Sequence, residues 1–334
     1  MKKSFTLIEI LVVLVIMGIL ATITTQIIYK VYQNYYISRS LNTLSFKTDT
    51  VLNMIASKLS QRVPNSTIAV ECNATNGGCD SGNVLSYKAV SLVTPANAYK
   101  YPVLEWLAKD IYSKRGIYFD SAKKIIPGWS GFVDLIDTVN VGQDEYNITL
   151  RYVNLGVVQN MANNWFTQWG VSTGSGVFSN LNEVLIFSGA DDRGDFSEVN
   201  TSYGYYNGPA KNVFKVKNIG LTNPPDFAQI TVQAITTSNN TMVFEGYYFV
   251  NTAMAIVPVY NSDTNDYNLT LRFNYFPWKG KKYIDGNETL LATHVTQFRF
   301  REQNGIMRIY ICISDPKVKA GSEKITVCKE KVVF

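Results

Sequence analysis

The sequence predicts an α+β protein in which a long N-terminal helix, transmembrane at first and amphipathic beyond, packs on an antiparallel β-rich globular head. Three observations carry this. Residues Phe5 to Ile28 form an apolar run with one charge, long enough at 1.5 Å per residue to cross a hydrocarbon core of about 30 Å. Between Gly18 and Pro64 there is neither Gly nor Pro, so nothing interrupts the helix as it leaves that run. After Pro64 the chain turns to short aromatic and β-branched runs separated by Gly, Asn, Asp and Ser, and its 21 Tyr and 17 Phe favour strands. With 334 residues, 46% of them hydrophobic, the chain can bury a core.

Four segments follow in order: a basic stub at 1–4, a membrane span at 5–28, an amphipathic continuation at 29–63 and a β-rich head at 64–334. Within the span sits Glu9, and a carboxylate at such a depth costs about 2.5–3.5 kcal/mol, so it requires a partner or a purpose. Ile37, Leu41, Leu44, Val51, Ile55 and Leu59 recur at helical spacing. The helix is expected from Phe5 to about Arg62, roughly 87 Å, with Pro64 as its stop. Tyr29, Tyr32, Tyr35 and Tyr36 are placed to anchor it at the membrane interface.

In the head, strands are expected at Val84–Val90, Asn147–Val153, Val213–Lys217, Ala228–Ile235, Met242–Val250, Leu269–Phe276, Thr296–Arg301, Met307–Ser314 and Lys324–Val333. Pro102 to Tyr112 reads as one short helix, because Val103, Leu107 and Ile111 share a face behind a proline. The segment 156–176, with Asn163, Asn164, Trp165 and Trp169, yields no element.

Composition narrows the chemistry. Lys plus Arg is 31 and Asp plus Glu is 26, a formal +5, too weak and too scattered to mark a nucleic-acid binder by charge. His294 is the one histidine, so a His-rich zinc site is excluded and any Ser-His-Asp or Cys-His triad would have to use that ring. There is no P-loop, HExxH or GxSxG. The reading is of a non-enzyme.

The four cysteines form two local pairs. A hairpin folding about Lys319 to Gly321 sets Cys312 opposite Cys328, within reach of a cross-strand bridge. Cys72 and Cys79 enclose a flexible polar loop that is easily closed. Zinc held by all four is disfavoured because the usual C-x2-4-C knuckles are absent.

Seven Asn-x-Ser/Thr sequons occur, at Asn65, Asn73, Asn147, Asn200, Asn239, Asn268 and Asn287. In five of them an acid stands two residues upstream: Glu71, Glu145, Glu198, Asp266 and Asp285. Such an acid is what bacterial oligosaccharyltransferases of the extended-sequon type require, so Asn73, Asn147, Asn200, Asn268 and Asn287 are the expected glycan sites; co-clustering of Asp and Asn in turns is the competing explanation. Asp191, Asp192, Asp195 and Glu198 crowd around Gly194. Hard oxygen donors at that spacing suit Ca²⁺, while a solvated acidic turn accounts for the same residues.

The N-terminal residues Lys2-Lys3-Ser4-Phe5-Thr6-Leu7-Ile8-Glu9, followed by the apolar run with Gly18, closely resemble the class III signal of type IV pilins and type II secretion pseudopilins. That resemblance implies cleavage between Ser4 and Phe5 by a membrane-embedded prepilin peptidase, then N-methylation of Phe5; Ser4 stands where the family usually has Gly. It also implies that Glu9 pairs with the Phe5 amine of a neighbouring subunit and sets the register of a filament. Pairing with its own Phe5, one turn away, or a charge simply tolerated near the interface, is the alternative. The run LLATHVTQFRF, then GIMRIYICIS and KITVCKEKVVF, resembles the closing hairpin of large minor pilins and J-type pseudopilins. The largest pseudopilin type lacks the glutamate, so size and Glu9 together point to a large minor subunit.

The partners implied are other pilin or pseudopilin subunits, the prepilin peptidase, an inner-membrane assembly platform and membrane lipid. The implied location is the bacterial inner membrane, single-pass with the C-terminal head in the periplasm, and then a pseudopilus or surface pilus. No cofactor is expected beyond Ca²⁺ at the acidic turn. A reading from another class is a tip adhesin or DNA-capturing binding module, with an aromatic surface near Trp165 and Trp169.

Overall fold

The computed structural model describes residues 7–72, 79–119, 123–189, 202–223, 226–237 and 242–334. One helix, α1 (Leu7–Leu59), runs unbroken for 53 residues, about 80 Å. Its end is capped where the sequence indicated: the Ser60 N–H donates to the Ala56 carbonyl and the Arg62 guanidinium to that of Leu59, just ahead of Pro64. Residues 7–36 are exposed throughout. From there one face is buried, with Ser40, Leu44, Thr48, Val51, Leu52, Ile55, Ala56 and Leu59 at spacings of three and four. Leu41, expected on that stripe, faces solvent instead.

The first part of the head contains strands β1 (Ile68–Cys72), β2 (Val84–Ala89), β3 (Val103–Lys109), β4 (Gly116–Phe119), β5 (Lys124–Pro127), β6 (Val133–Gly142) and β7 (Glu145–Arg151). A second helix, α2 (Leu155–Gln168), precedes β8 (Val184–Phe187), β9 (Phe214–Asn223), β10 (Phe227–Ala234) and β11 (Tyr247–Asn261). The chain closes with β12 (Asp266–Tyr275), β13 (Asn287–Gln303), β14 (Ile306–Ala320) and β15 (Glu323–Val333). One antiparallel sheet runs β15-β14-β13-β12-β11-β8-β9-β10-β7-β6, and β3, β1 and β2 branch from β11. The fork lies at Val250, which is paired with Val184 of β8 on one edge and Lys109 of β3 on the other. β4 and β5 form a separate hairpin.

Two hydrophobic cores result. One lies under α1, where Leu44, Val51, Leu52 and Ile55 meet Met307, Ile309, Ile311 and Ile313 of β14 and Ile325 and Val333 of β15. The other joins β1, β3 and the β6–β11 branch to the inner face of α2.

The expected short helix at Pro102–Tyr112 is wrong: Val103–Lys109 is strand β3. All but the last of its residues are buried, so both faces are covered, and a buried run of seven shows no alternation that would separate strand from helix. The strand expected at Met242–Val250 begins later, at Tyr247, and continues through Pro258 to Asn261. A proline is tolerated there because β3 pairs with β11 only as far as Ile256. The segment without an assignment contains α2. Asn154 caps it, its side chain accepting from the Val157 N–H, and Leu155, Val158, Ala162 and Phe166 form its buried stripe. Strands β1, β4, β5, β6 and β8 were also not anticipated, being four or five residues long or lacking apolar alternation.

Candidate assembly site

The exposed half of α1 is the first part of the site. Glu9 lies in the first described turn of the helix, flanked by exposed Leu7, Ile8, Ile10 and Leu11. Among the described residues α1 is the one helix long and apolar enough to cross a membrane, and none of its most apolar window is buried inside the protein. A surface of that kind in water is costly, at about 25 cal/mol per Å², so it requires lipid or other helices around it. Ser4 and Phe5, the expected processing residues, lie outside the described residues. Tyr29, Tyr32, Tyr35 and Tyr36 are all exposed at the outer end of this stretch, suited to the interfacial role expected of them.

The packed half of α1 is fastened by polar contacts that bracket its apolar stripe. Ser40 Oγ donates to Asp315 Oδ2 at 2.5 Å. Desolvation pushes the Asp315 carboxyl up, but hydrogen bonds from Ser40 and from the Lys317 and Val318 amides outweigh it and hold the group below its ordinary value. Lys47 Nζ donates to both the carbonyl and the hydroxyl of Thr293, each at 3.1 Å. Its partial burial lowers its pKa, opposed by the charge of Asp266, a buried carboxylate that meets His294 Nδ1 at 2.8 Å. The sole histidine is thus tied to a structural contact beside the helix. Asp49 pairs with Lys329, and Asn53 Oδ1 accepts from Lys331 at 2.6 Å. These contacts come from β13, β14 and β15, so the closing hairpin is the seat of the helix.

That hairpin is covalently clamped. Cys312 and Cys328 are direct register partners on β14 and β15 and are disulfide-bonded. Cys72, at the end of β1, is bonded to Cys79.

Among the described residues, three of the sequence-predicted glycan sites, Asn147, Asn268 and Asn287, lie on three different strands. Asn147 on β7 is exposed, and its amide oxygen accepts from Thr231. Asn268 on β12 is half-buried opposite Val259, and its upstream acid is the buried Asp266. Asn287, half-buried at the start of β13, accepts from Asn274 and donates to the Trp169 carbonyl. Asn65 follows Pro64 with a left-handed backbone, φ 58°. Asn73, Asn200 and Asn239 lie outside the described residues, as do Asp191, Asp192, Asp195 and Glu198. Among the described residues no group of three or more His, Cys, Asp or Glu could hold a metal ion.

Trp165 and Trp169 do not form an open aromatic surface. Trp165 donates to Asn274 Oδ1 at 2.8 Å and stacks on Tyr112, while Trp169 meets Phe273 edge-on. Together they wall an apolar hollow of about 580 Å³ between α1, α2 and the sheet.

An apolar, exposed helix led by one acid and seated on a disulfide-clamped hairpin is the setting in which the comparison of the N-terminus is decisive. Residues 1–25 match the prokaryotic N-terminal methylation motif. That motif is the class III prepilin signal of type IV pilins and pseudopilins, so the N-terminus of the chain is similar to theirs. The signal implies processing by prepilin peptidase and assembly with other pilins, and with the apolar helix it points to membrane anchoring. No curated protein and no solved structure matches the chain, so the prepilin likeness rests on its first 25 residues.

Proposed function

We propose that this chain is a minor pilin or pseudopilin, a non-enzymatic subunit of a type IV pilus or type II secretion pseudopilus. In this reading prepilin peptidase cuts between Ser4 and Phe5 and the new amine on Phe5 is methylated. The mature protein waits in the inner membrane with its head in the periplasm and is then drawn into a filament through α1. The observation that carries the reading is the union of the methylation motif at residues 1–25 with a helix exposed over residues 7–36, apolar through Ile28, and packed on the head farther along. One element has an environment for lipid or neighbouring helices at one end and a rigid mount at the other.

Intact-mass analysis of protein extracted from membranes of a host with an active prepilin peptidase tests this. The expected mass is that of a chain beginning at Phe5 with one added methyl group. A mature chain beginning at Met1 would overturn the reading.

A further inference from the structure

The chain's own side chains leave one apolar space between α1, α2 and the sheet unfilled. Its floor is Met254 and Ile256 of β11 and Leu271 and Phe273 of β12, all buried. Trp165 and Trp169 form a side wall that is fixed in place: the Trp165 N–H donates to Asn274 Oδ1, and Trp169 meets Phe273 edge-on with the ring centres 4.8 Å apart. The wall therefore stands open and does not collapse onto the floor. Ser57 of α1 and Thr289 of β13, both exposed, mark the mouth.

Such a space calls for an occupant. Protein interiors hold few voids larger than a water molecule, and a lining with nothing against it loses its dispersion contacts. Water is a poor filler for an apolar cavity, which stays dry and takes up hydrocarbons instead. At about 580 Å³ the hollow falls within the range of small-molecule sites, roughly 300–1,000 Å³, which are likewise mostly apolar with a few placed polar groups.

Charge narrows the ligand. Lys58, half-buried near the end of α1, is the one charged residue that lines the hollow, and among the described residues it has no ion-pair partner. Asn53, also on the lining, accepts from Lys331 Nζ at 2.6 Å, so a second cation stands close by. The acids of the flanking segments are engaged, Asp49 with Lys329 and Glu288 with Arg272. An apolar space edged by an unpaired ammonium, with three donors to offer, is complementary to a hydrocarbon chain that ends in a carboxylate.

We propose that this hollow binds a free fatty acid, with its chain against Trp165, Trp169 and the β11–β12 floor and its carboxylate on Lys58. Thr50, where α1 begins to line the hollow, lies roughly 33 Å along the helix beyond Ile28. A lipid held in a bilayer around residues 5–28 does not extend so far, since its chains cover about half of a 30 Å core. The ligand is thus a single-chain amphiphile taken from solution. The inference goes beyond the assembly reading and does not depend on it.

The test is photolabelling of the full-length protein in phosphatidylcholine nanodiscs with a dodecanoate that carries a diazirine near its methyl end, followed by peptide mass spectrometry. Adducts on residues 7–28 report chains dissolved in the bilayer and serve as an internal reference. Adducts on the peptides of α2, β11 or β12 that line the hollow are expected as well, and excess unlabelled dodecanoate should displace these alone. Decanoate should compete about fifteenfold less well at equal free concentration, for two fewer buried methylenes. Lys58→Gln should raise the dodecanoate needed for displacement about tenfold and leave competition by dodecanol unchanged. Ser57→Trp and Thr289→Trp, which introduce an indole from opposite sides of the mouth, should abolish the hollow adducts and keep those of the bilayer. Both positions are exposed, and thermal melts verify that each variant folds. Absence of a displaceable adduct in the hollow overturns the proposal, as does unchanged labelling in both tryptophan variants. Dodecanol that competes as well as dodecanoate in the wild type, or a Lys58→Gln variant that binds dodecanoate as the wild type does, removes the carboxylate contact and with it the assignment to a fatty acid.

Discussion

At the scale of single residues, two carboxylates repay attention because each is placed against its solvation preference. Glu9 sits on an apolar helix surface, and removing a charge there can only ease transfer into a bilayer. If its role is to meet the amine of a neighbouring Phe5, insertion and assembly should separate in Glu9→Ala: membrane fractionation unchanged, recovery in sheared filaments sharply reduced. Normal incorporation would assign Glu9 no intersubunit role. Glu105 is the second case. It lies on the central strand β3, 1% exposed, and accepts from the Tyr206 hydroxyl at 2.7 Å. Burial pushes its pKa up to about 7, against the pull of hydrogen bonding from Tyr206 and Tyr275. A carboxyl that binds its proton more tightly folded than unfolded adds stability that is full below about pH 4.5 and is lost as pH rises toward 7; above 7 the loss is complete. Over that window the folded head should lose about 3 kcal/mol from this group. Asp110 and Glu183 are raised by burial too, so the total profile mixes several groups with the same sign. Glu105→Gln isolates one of them: its denaturation midpoint, compared with the wild type at pH 5 and pH 8, should show the smaller fall. Equal falls in the two proteins would exclude a protonated Glu105.

At the scale of elements, α1 is two objects joined end to end, and mutations should reveal the join. Ile55 is 1% exposed beneath the sheet, whereas Phe46, on the outer face of the same packed half, is 76% exposed. Ile55→Ala should cost about 2–5 kcal/mol through lost burial and the cavity left behind, while Phe46→Ala should stay within about 0.5 kcal/mol. Thermal denaturation of the detergent-solubilised protein measures both; similar costs would mean that the helix is not seated as described. The same element shows what could be read before the structure. Leu44, Val51, Ile55 and Leu59 were legible as a stripe because helical periodicity survives when one face is wet. Strand β3 was not, because burial on both faces erases periodicity, and Val103, Leu107 and Ile111 then imitate a helix. Helix α2 was hidden for another reason. Trp165 and Trp169 lie beside its core stripe and contact the sheet, so its apolar residues spread around the helix and blur the period.

At the scale of the whole molecule, the parts of the site that were legible are local in sequence: the methylation motif, the acid at position 9, and the cysteine pair whose hairpin brings its members together. What strand register alone assembles was not legible: Arg299 meets Tyr310 and Arg301 meets Arg308 only because β13 and β14 pair in that register. The extended sequons need the same separation of sequence from fold, and among the described residues they allow a ranked prediction. If glycans are added to a folded head, the enzyme must reach both the asparagine amide and the acid two residues before it. At Asn147 the side chain is exposed, and Glu145 is partly exposed and paired with Lys217 at 2.8 Å. Asn287 follows a partly exposed Asp285, but its own amide is engaged with Asn274 and the Trp169 carbonyl. Asn268 is worst placed, since its acid, Asp266, is buried against His294 and its own side chain is half-buried. Occupancy by glycopeptide mass spectrometry should therefore fall in the order Asn147, Asn287, Asn268, in a host that modifies the same extended sequon elsewhere. Equal, high occupancy at Asn268 would show that modification precedes folding of β12 and β13, and the ranking would fail. Unmodified peptides at all three asparagines would leave the acids as turn and ion-pair residues, a role that Glu145 and Asp266 already fill in the folded head.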